Sequence, residues 1–179
     1  MLAAWRKERS RRLCAEQLYS SAAAQARAPA LYLRFAIPDT LDGRFDALAL
    51  HVALLVRALE AADGRAAALA VRVEEALVRD LDRTVRELGV GDMGVGKQVK
   101  LMMAAYRGRA RAYGAALAAS DEALVNALAR NLYRGAPPAR PVMDALARHV
   151  RAEAAHVGAQ AATMVDGAGV DWLDVGPVP

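Results

Sequence analysis

Two overlapping glycine motifs are the first feature of the sequence with a spacing that suits chemistry. Residues 89–94 read GVGDMG and match the GxGxxG fingerprint of dinucleotide-binding sites, while residues 91–97 match the first seven positions of a P-loop. Both phosphate sites need a buried strand before the glycines. Here an amphipathic, highly charged segment, residues 65–88, comes before them, and Gln98 stands where a P-loop needs serine or threonine for Mg²⁺. We therefore interpret the glycines as a turn between two helices.

Three side chains near the end of the sequence have the spacing of metal ligands on a helix. His149, Glu153 and His156 fall on one helical face, and Glu153 with His156 forms an ExxH, which is half of a di-iron motif. The sequence lacks the second ExxH that such a centre needs. We expect a solvated polar face there and a partly buried, hydrogen-bonded His51 elsewhere. We assign no catalytic residue, no metal and no cofactor.

Basic residues form two clusters that are candidates for contact with anionic partners. The first cluster is Arg6, Lys7, Arg9, Arg11 and Arg12. The second is Lys97, Lys100, Arg107, Arg109 and Arg111, with Tyr106 and Tyr113 among them. We interpret the first as a flexible charged end, with lipid or RNA binding as the alternatives. The second is typical of a docking surface, although its tyrosines also suit a core with polar tips. The net charge of +4 favours anionic partners without choosing among them.

The composition predicts that helices position these residues. Alanine makes up about a quarter of the 179 residues, whereas aromatic residues make up only 5%, and this favours helices over sheets. The clearest periodic pattern follows Asp39 or Thr40, either of which can cap a helix. Its apolar positions are Leu41, Phe45, Leu48, Val52, Leu55 and Leu59, which all lie on one face. A further helix is expected from about Val95 to Ala119, and another from the N-cap Ser120.

The predicted architecture is all-α, a single-domain bundle of about six or seven helices. We divide it into a basic helix start over 1–17, a helical domain over 18–163 and an irregular tail over 164–179. The single cysteine, Cys14, excludes an intramolecular disulfide. No apolar run reaches the ~18 residues that a membrane span requires, so we expect a cytoplasmic protein.

Two segments of the sequence resemble one known family. They are residues 25–51, which include LYLRFAIPDTLDGRFD, and residues 89–113, which include GVGDMGVGKQVK and YRGR. In this order and at this separation they are similar to the ubiquinol–cytochrome c chaperones. The resemblance covers roughly residues 18–120. One departure is Ala36, where the family usually has glycine.

The resemblance implies an assembly chaperone without catalysis. Relatives bind newly made cytochrome b, the membrane subunit of the bc1 complex, and hold it until haem insertion and partner addition. In mitochondria they act with a second small factor near the ribosome exit. The resemblance therefore makes cytochrome b the expected client, with the ribosome, a second assembly factor and anionic membrane as further candidate partners, and no DNA. The expected location is the cytoplasm, at the cytoplasmic face of the inner membrane.

The expected docking surface joins the turn at Pro38 to the glycine segment and the helix after it. Its candidate partner-binding residues are Pro38, Asp39, Arg44, Phe45, Asp92, Lys97, Lys100, Tyr106 and Arg109. An internal salt-bridge network among the charged ones is the alternative role. Two other functions are open at this point: a nucleotide-binding enzyme that uses Gly91–Lys97, and a basic module that binds RNA or the ribosome.

Overall fold

The computed structural model describes residues 2–176, except the side chains of residues 2–4 and 7, and this part of the chain contains seven α-helices and no strand. The helices are α1 (Leu2–Gln25), α2 (Pro29–Phe35), α3 (Leu41–Glu60), α4 (Gly64–Glu87), α5 (Asp92–Ala118), α6 (Asp121–Asn131) and α7 (Arg140–Met164). The all-α prediction is confirmed. None of the described helices is both long enough and apolar enough to cross a membrane.

Side-chain caps begin several of the helices. The Thr40 side chain accepts a hydrogen bond from the backbone N–H of Gly43 at 3.1 Å, and Asp63 and Ser120 act in the same way at the starts of α4 and α6. Each cap satisfies an N–H group that has no partner inside its own helix. The predicted caps at Thr40 and Ser120 are confirmed.

Helix α3 is the centre of the bundle and packs against α1, α4, α5 and α7. Every residue from 49 to 56 is buried, so this part of α3 is surrounded on all sides. The predicted apolar stripe is covered only in its second half. Val52, Leu55 and Leu59 are buried, whereas Leu41 is 61% exposed. The beginning of the stripe therefore lies at an opening in the bundle.

Helix α5 begins at Asp92, three residues earlier than the sequence predicted. The turn after α4 therefore spans only residues 88–91, and the later glycines of the motif belong to α5. Glycine is a poor helix former, but burial of Val95 and Val99 in the core outweighs that preference here. The prediction that the glycine segment joins two helices is confirmed.

The irregular tail lies against the first and last helices. The indole Nε1 of Trp172 donates to the hydroxyl of Ser21 at 3.0 Å, and Gln25 Nε2 donates to the carbonyl of Leu173 at 3.1 Å. Val170 and Val175 are buried. Over residues 165–176 the tail thus closes one side of the bundle, while positions 177–179 of the predicted tail lie outside the described residues.

Candidate partner-binding groove

An open groove with a volume of about 520 Å³ lies between α3, α4 and α5, next to the end of α1. Its lining is mostly apolar. The larger apolar side chains are Leu41, Phe45 and Leu48 from α3, Leu81 and Val85 from α4, Leu88 at the C-cap of α4, and Leu101 and Met102 from α5. The apolar stripes of the three helices therefore continue beyond the region where the helices cover one another, and this uncovered apolar surface forms the groove.

Three leucines from three helices are exposed in this groove. Leu41, Leu88 and Leu101 are 61%, 58% and 57% exposed. Because about 40% of each leucine is already buried, complete burial would stabilise each by roughly 1–2 kcal/mol. A scattered exposed leucine needs no explanation, but leucines from three helices around one apolar cavity are typical of a binding surface.

A buried ion-pair network lies at the floor of the groove. Asp46 on α3 is completely buried; its Oδ1 lies 2.7 Å from Nη2 of Arg109, and its Oδ2 accepts from Nε of Arg134 at 3.0 Å. Arg134 also reaches Asp42 at 2.7 Å. The guanidinium of Arg109 lies 5.5 Å from the ring centroid of Phe45, a cation–π distance. The network thus places the guanidinium of Arg109 beside the groove-lining ring of Phe45.

The rim of the groove is charged. Arg44 donates to Asp39 at 2.6 Å, and this hydrogen bond lowers the pKa of the exposed Asp39 carboxyl below its usual value. Arg27, from the turn after α1, also lines the groove. On the opposite side, Asp80 accepts from the hydroxyl of Tyr19, whose pKa is raised chiefly by burial. An apolar interior with a charged rim is typical of protein-docking sites.

Some of the candidate residues predicted from the sequence meet at this groove. Arg44, Phe45 and Arg109 line it, and Asp39 pairs with Arg44 at the rim. Pro38 lies just before α3, where its carbonyl is in close contact with Gly43. The position of Arg109 agrees with the alternative role in an internal salt-bridge network. Arg44 and Phe45 are placed where they could contact a partner.

The remaining candidates lie elsewhere. Asp92 pairs with Arg86 at the turn between α4 and α5, and Lys97 and Lys100 are exposed on α5 outside the groove lining. Tyr106 is 0% exposed, which agrees with the alternative of a core tyrosine rather than with a surface contact. Because α5 packs against both α3 and α4, the face of α5 that carries this tyrosine is enclosed in the core, and burial raises the pKa of its hydroxyl.

Sequence reasoning missed several groove residues. Leu101 carried a weak signal, because it is a large apolar residue on a different face of α5 from the buried Val95, Val99 and Tyr106. Arg27 and Arg134 carried none, since their positions depend on how the ends of α1 and α6 meet α3. Arg134 also has a left-handed backbone with φ of 53°. In the predicted N-terminal basic cluster, Arg11 does not line the groove. The side chain of Lys7 lies outside the described side chains.

The histidine cluster on α7 is not the solvated face that the sequence predicted. Glu153 is buried at 1% exposure, and its Oε2 lies 2.8 Å from Nε2 of His149. The ring of His149 lies 5.5 Å from that of Phe35, because α2 and α3 both pack on this side of α7. Only His156 fits the expectation, at the surface near Asp171. The described residues contain no group of three side chains placed to hold a metal ion.

The expected burial of His51 is confirmed. Its Nδ1 lies 2.8 Å from the carbonyl oxygen of Ala47, and its ring meets the edge of Trp172 at 5.5 Å. Burial lowers its pKa from the usual value near 6.5, with the Ala47 carbonyl and Glu153 acting in the opposite direction. The imidazole is therefore a core group at the junction of α3 and the tail.

The glycine motif lacks the setting of a phosphate site. Helix α4 ends at Glu87, and Gly91 is the N-cap residue of α5, so a helix stands where the phosphate-binding motifs need a strand. Lys97 lies exposed in the second turn of α5. The geometry that both nucleotide-binding motifs require is therefore not formed by the described residues around this turn.

Comparison with known proteins agrees with this architecture. A family model described as ubiquinol–cytochrome c chaperone matches residues 33–168, which include most of the groove. The crystal structure of the Cbp3 homolog from Brucella abortus superposes with a TM-score of 0.82, at 31% sequence identity and with 100% of both chains covered. No curated protein matched the chain. Because the family match spans well over half of the sequence, the chain belongs to the ubiquinol–cytochrome c chaperone family.

Proposed function

We propose that the protein is an assembly chaperone of the respiratory bc1 complex and that it holds newly made cytochrome b in the groove between α3, α4 and α5. The observation that carries the proposal is the open apolar groove itself, with Leu41, Leu88 and Leu101 exposed around it. Membership of the ubiquinol–cytochrome c chaperone family supports the choice of complex.

The chemistry of the client suits the groove. A membrane protein that has not yet assembled presents apolar helices, whose exposure to water is unfavourable. Docking an apolar helix face in a groove between helices is a known recognition mode. A volume of about 520 Å³ admits the side chains of one short segment rather than a whole helix bundle. The groove would therefore cover one vulnerable segment of cytochrome b.

The proposal requires binding and release, and no bond is made or broken. Apolar contact supplies the affinity, while the charged rim sets the orientation of the segment. The exposed arginines at the start of α1, Arg6, Arg9 and Arg12, would favour anionic lipid near the insertion site. Each such residue contributes ~1 kcal/mol close to a membrane surface. We propose accordingly that the protein works at the cytoplasmic face of the inner membrane.

Site-specific crosslinking tests the proposal. A photoreactive amino acid replaces Leu101 in the groove or, as a control, Leu13 on α1, which is similarly exposed at 51% and lies outside the groove. Irradiation of the native membrane fraction should join cytochrome b to the first position and not to the second. Equal capture at both positions, or none at Leu101, would argue against the groove as the client site.

A matched pair of substitutions gives a second readout. Leu101→Glu places a charge among apolar side chains of the groove, whereas Leu13→Glu places it on an open helix surface. In a strain that lacks the wild-type protein, we expect the first variant to lower assembled bc1 complex and the second to maintain it. Normal complex levels with Leu101→Glu would contradict the proposal.

A further inference from the structure

Among the described arginines that line the groove, one has no carboxylate partner. Arg44 pairs with Asp39, and Arg109 and Arg134 share Asp46, with Asp42 as a further partner of Arg134. Asp80 is engaged by Arg83 and by the hydroxyl of Tyr19. Among the described residues, Arg27 lines the groove without a carboxylate at ion-pair distance.

Arg27 and Arg44 lie on the same part of the rim. The hydroxyl of Tyr32 donates to the carbonyl of Ala26, the residue before Arg27, at 2.8 Å. Burial and Asp39 raise the pKa of Tyr32, and the guanidinium groups of Arg44 and Arg27 act in the opposite direction. Both arginines also line the same apolar cavity as Leu41 and Phe45. This part of the rim therefore combines the guanidinium of Arg27, unpaired within the described part of the chain, with the Arg44–Asp39 ion pair and neighbouring apolar surface.

We propose that the segment held in the groove carries a carboxylate side chain beside its apolar residues, and that Arg27 receives this carboxylate next to Arg44. The inference rests on the proposed function and narrows it to one chemical class of client segment, an apolar segment with an acidic residue near one end. Arg27 is then a specificity-determining residue, and the leucines of the groove supply affinity.

The physical basis is charge complementarity. Arginine binds a carboxylate through two parallel N–H groups, and such charge-assisted hydrogen bonds are roughly twice as strong as neutral ones. The adjacent apolar wall excludes water and strengthens the attraction once a ligand is seated. A lysine at the same place in the client would meet the unpaired guanidinium of Arg27 and be repelled, because the carboxylate of Asp39 is already paired with Arg44. The rim therefore distinguishes acidic from basic segments of equal hydrophobicity.

Three fluorescent peptides test the inference with the full-length protein. They are helical peptides of about 16 residues, built from Leu, Ala and Ser, which differ only in one residue near the C-terminus: Glu, Gln or Lys. Anisotropy titrations should show that the Glu peptide binds about 5–10-fold more tightly than the Gln peptide, as expected for one charge-assisted hydrogen-bonded pair. The Lys peptide should bind more weakly than both.

Substitution of the arginine provides the decisive comparison. In Arg27→Gln, the Glu and Gln peptides should bind equally. In the control Arg57→Gln, which removes an exposed arginine of α3 outside the groove, the preference for Glu should remain. Equal binding of the Glu and Gln peptides to the unaltered protein, or a preference that survives Arg27→Gln, would overturn the inference.

The same titrations separate this inference from the proposed function. If all three peptides bind equally and Leu101→Glu abolishes their binding, the groove is a docking site but the acidic specificity is wrong. If none binds and cytochrome b is not crosslinked at Leu101, both proposals are wrong. A protein dimer that dissociates on Leu101→Glu would show that a second copy fills the groove, which also overturns the inference.

Discussion

Arg109 on α5 places its Nη2 atom 2.7 Å from Oδ1 of Asp46, which is completely buried on α3. The side chain of Arg109 is itself only 16% exposed. Arg134, from the connection between α6 and α7, holds the second carboxylate oxygen at 3.0 Å. One buried carboxylate therefore joins three parts of the chain directly beneath the groove.

Removal of this carboxylate should be severely destabilising. Asp46→Ala leaves the largely buried guanidinium of Arg109 without its partner, and breaking a buried ion pair in this way costs about 3–5 kcal/mol. Urea unfolding followed by circular dichroism measures the loss. The control Asp82→Ala breaks the exposed pair with Arg86 and should leave the unfolding midpoint nearly unchanged. A similar midpoint shift for both variants would show that the buried network contributes no more to stability than an exposed ion pair.

Gly43 should not tolerate a methyl group. A Cβ atom at this position would collide with the backbone carbonyl of Pro38, which cannot move without displacing the start of α3. Gly43→Ala is therefore expected to lower the free energy of unfolding by about 1–3 kcal/mol. Gly114→Ala, in the interior of α5 with open space around it, should instead raise it by about 0.5–1 kcal/mol. The opposite signs can be checked in parallel by thermal unfolding, and a neutral Gly43→Ala would contradict the close contact.

Replacing Ala36 with glycine should increase the stability of the fold. It is the C-cap residue of α2 and has a left-handed backbone with φ of 53°, which costs an L-residue about 1–2 kcal/mol. Glycine removes this strain but adds about 0.4–1 kcal/mol of unfolded-chain entropy. We expect Ala36→Gly to stabilise the fold by about 0.5–1 kcal/mol in chemical unfolding. Ala68→Gly, on the exposed face of α4, should destabilise it by about 1 kcal/mol, and destabilisation by both would refute the assignment of strain.

Stability should decrease in mild acid because of His51. Burial lowers the pKa of His51 in the folded protein below its usual value near 6.5, so the unfolded chain takes up the proton first as the pH falls. The contribution of His51 is complete above about pH 6.5 and is lost below it, with a slope of at most about 1.4 kcal/mol per pH unit. His149 and Glu153 on α7 are the titratable groups nearby.

Urea unfolding between pH 5 and pH 7.5 measures this slope. His51→Phe keeps a ring against Trp172 but cannot titrate, so the fall in stability with acid should be smaller in the variant. An unchanged slope would contradict the assignment of the effect to His51.

Local signals in the sequence were sufficient for the helices and several of their ends. Thr40 and Ser120 were recognised as caps because the residues that they satisfy lie three positions away in the chain. The stripe from Leu41 to Leu59 correctly predicted a core helix. Both features depend on contacts within one helix, and the chain alone specifies those.

Features that depend on which helices meet could not be derived in this way. The sequence did not show that neighbouring helices stop covering the apolar stripe of α3 between Phe45 and Val52. This loss of cover is what opens the groove. It also did not show that Glu153 is enclosed by α2 and α3, or that Arg134 reaches Asp46, 88 residues earlier in the chain. Charged residues at helical spacing look alike whether they face water or a neighbouring helix, so patterns along one segment do not identify buried pairs.

The contact between the tail and α1 has a consequence for how the protein is made. Trp172 bonds to Ser21, which precedes it by 151 residues, and the indole edge also meets His51 in the central helix. At a synthesis rate of ~5–20 residues per second, Ser21 is polymerised about 8–30 s before its partner exists. The first helix therefore emerges from the ribosome with one flank uncovered, and that flank is covered only after the segment around Trp172 has been translated.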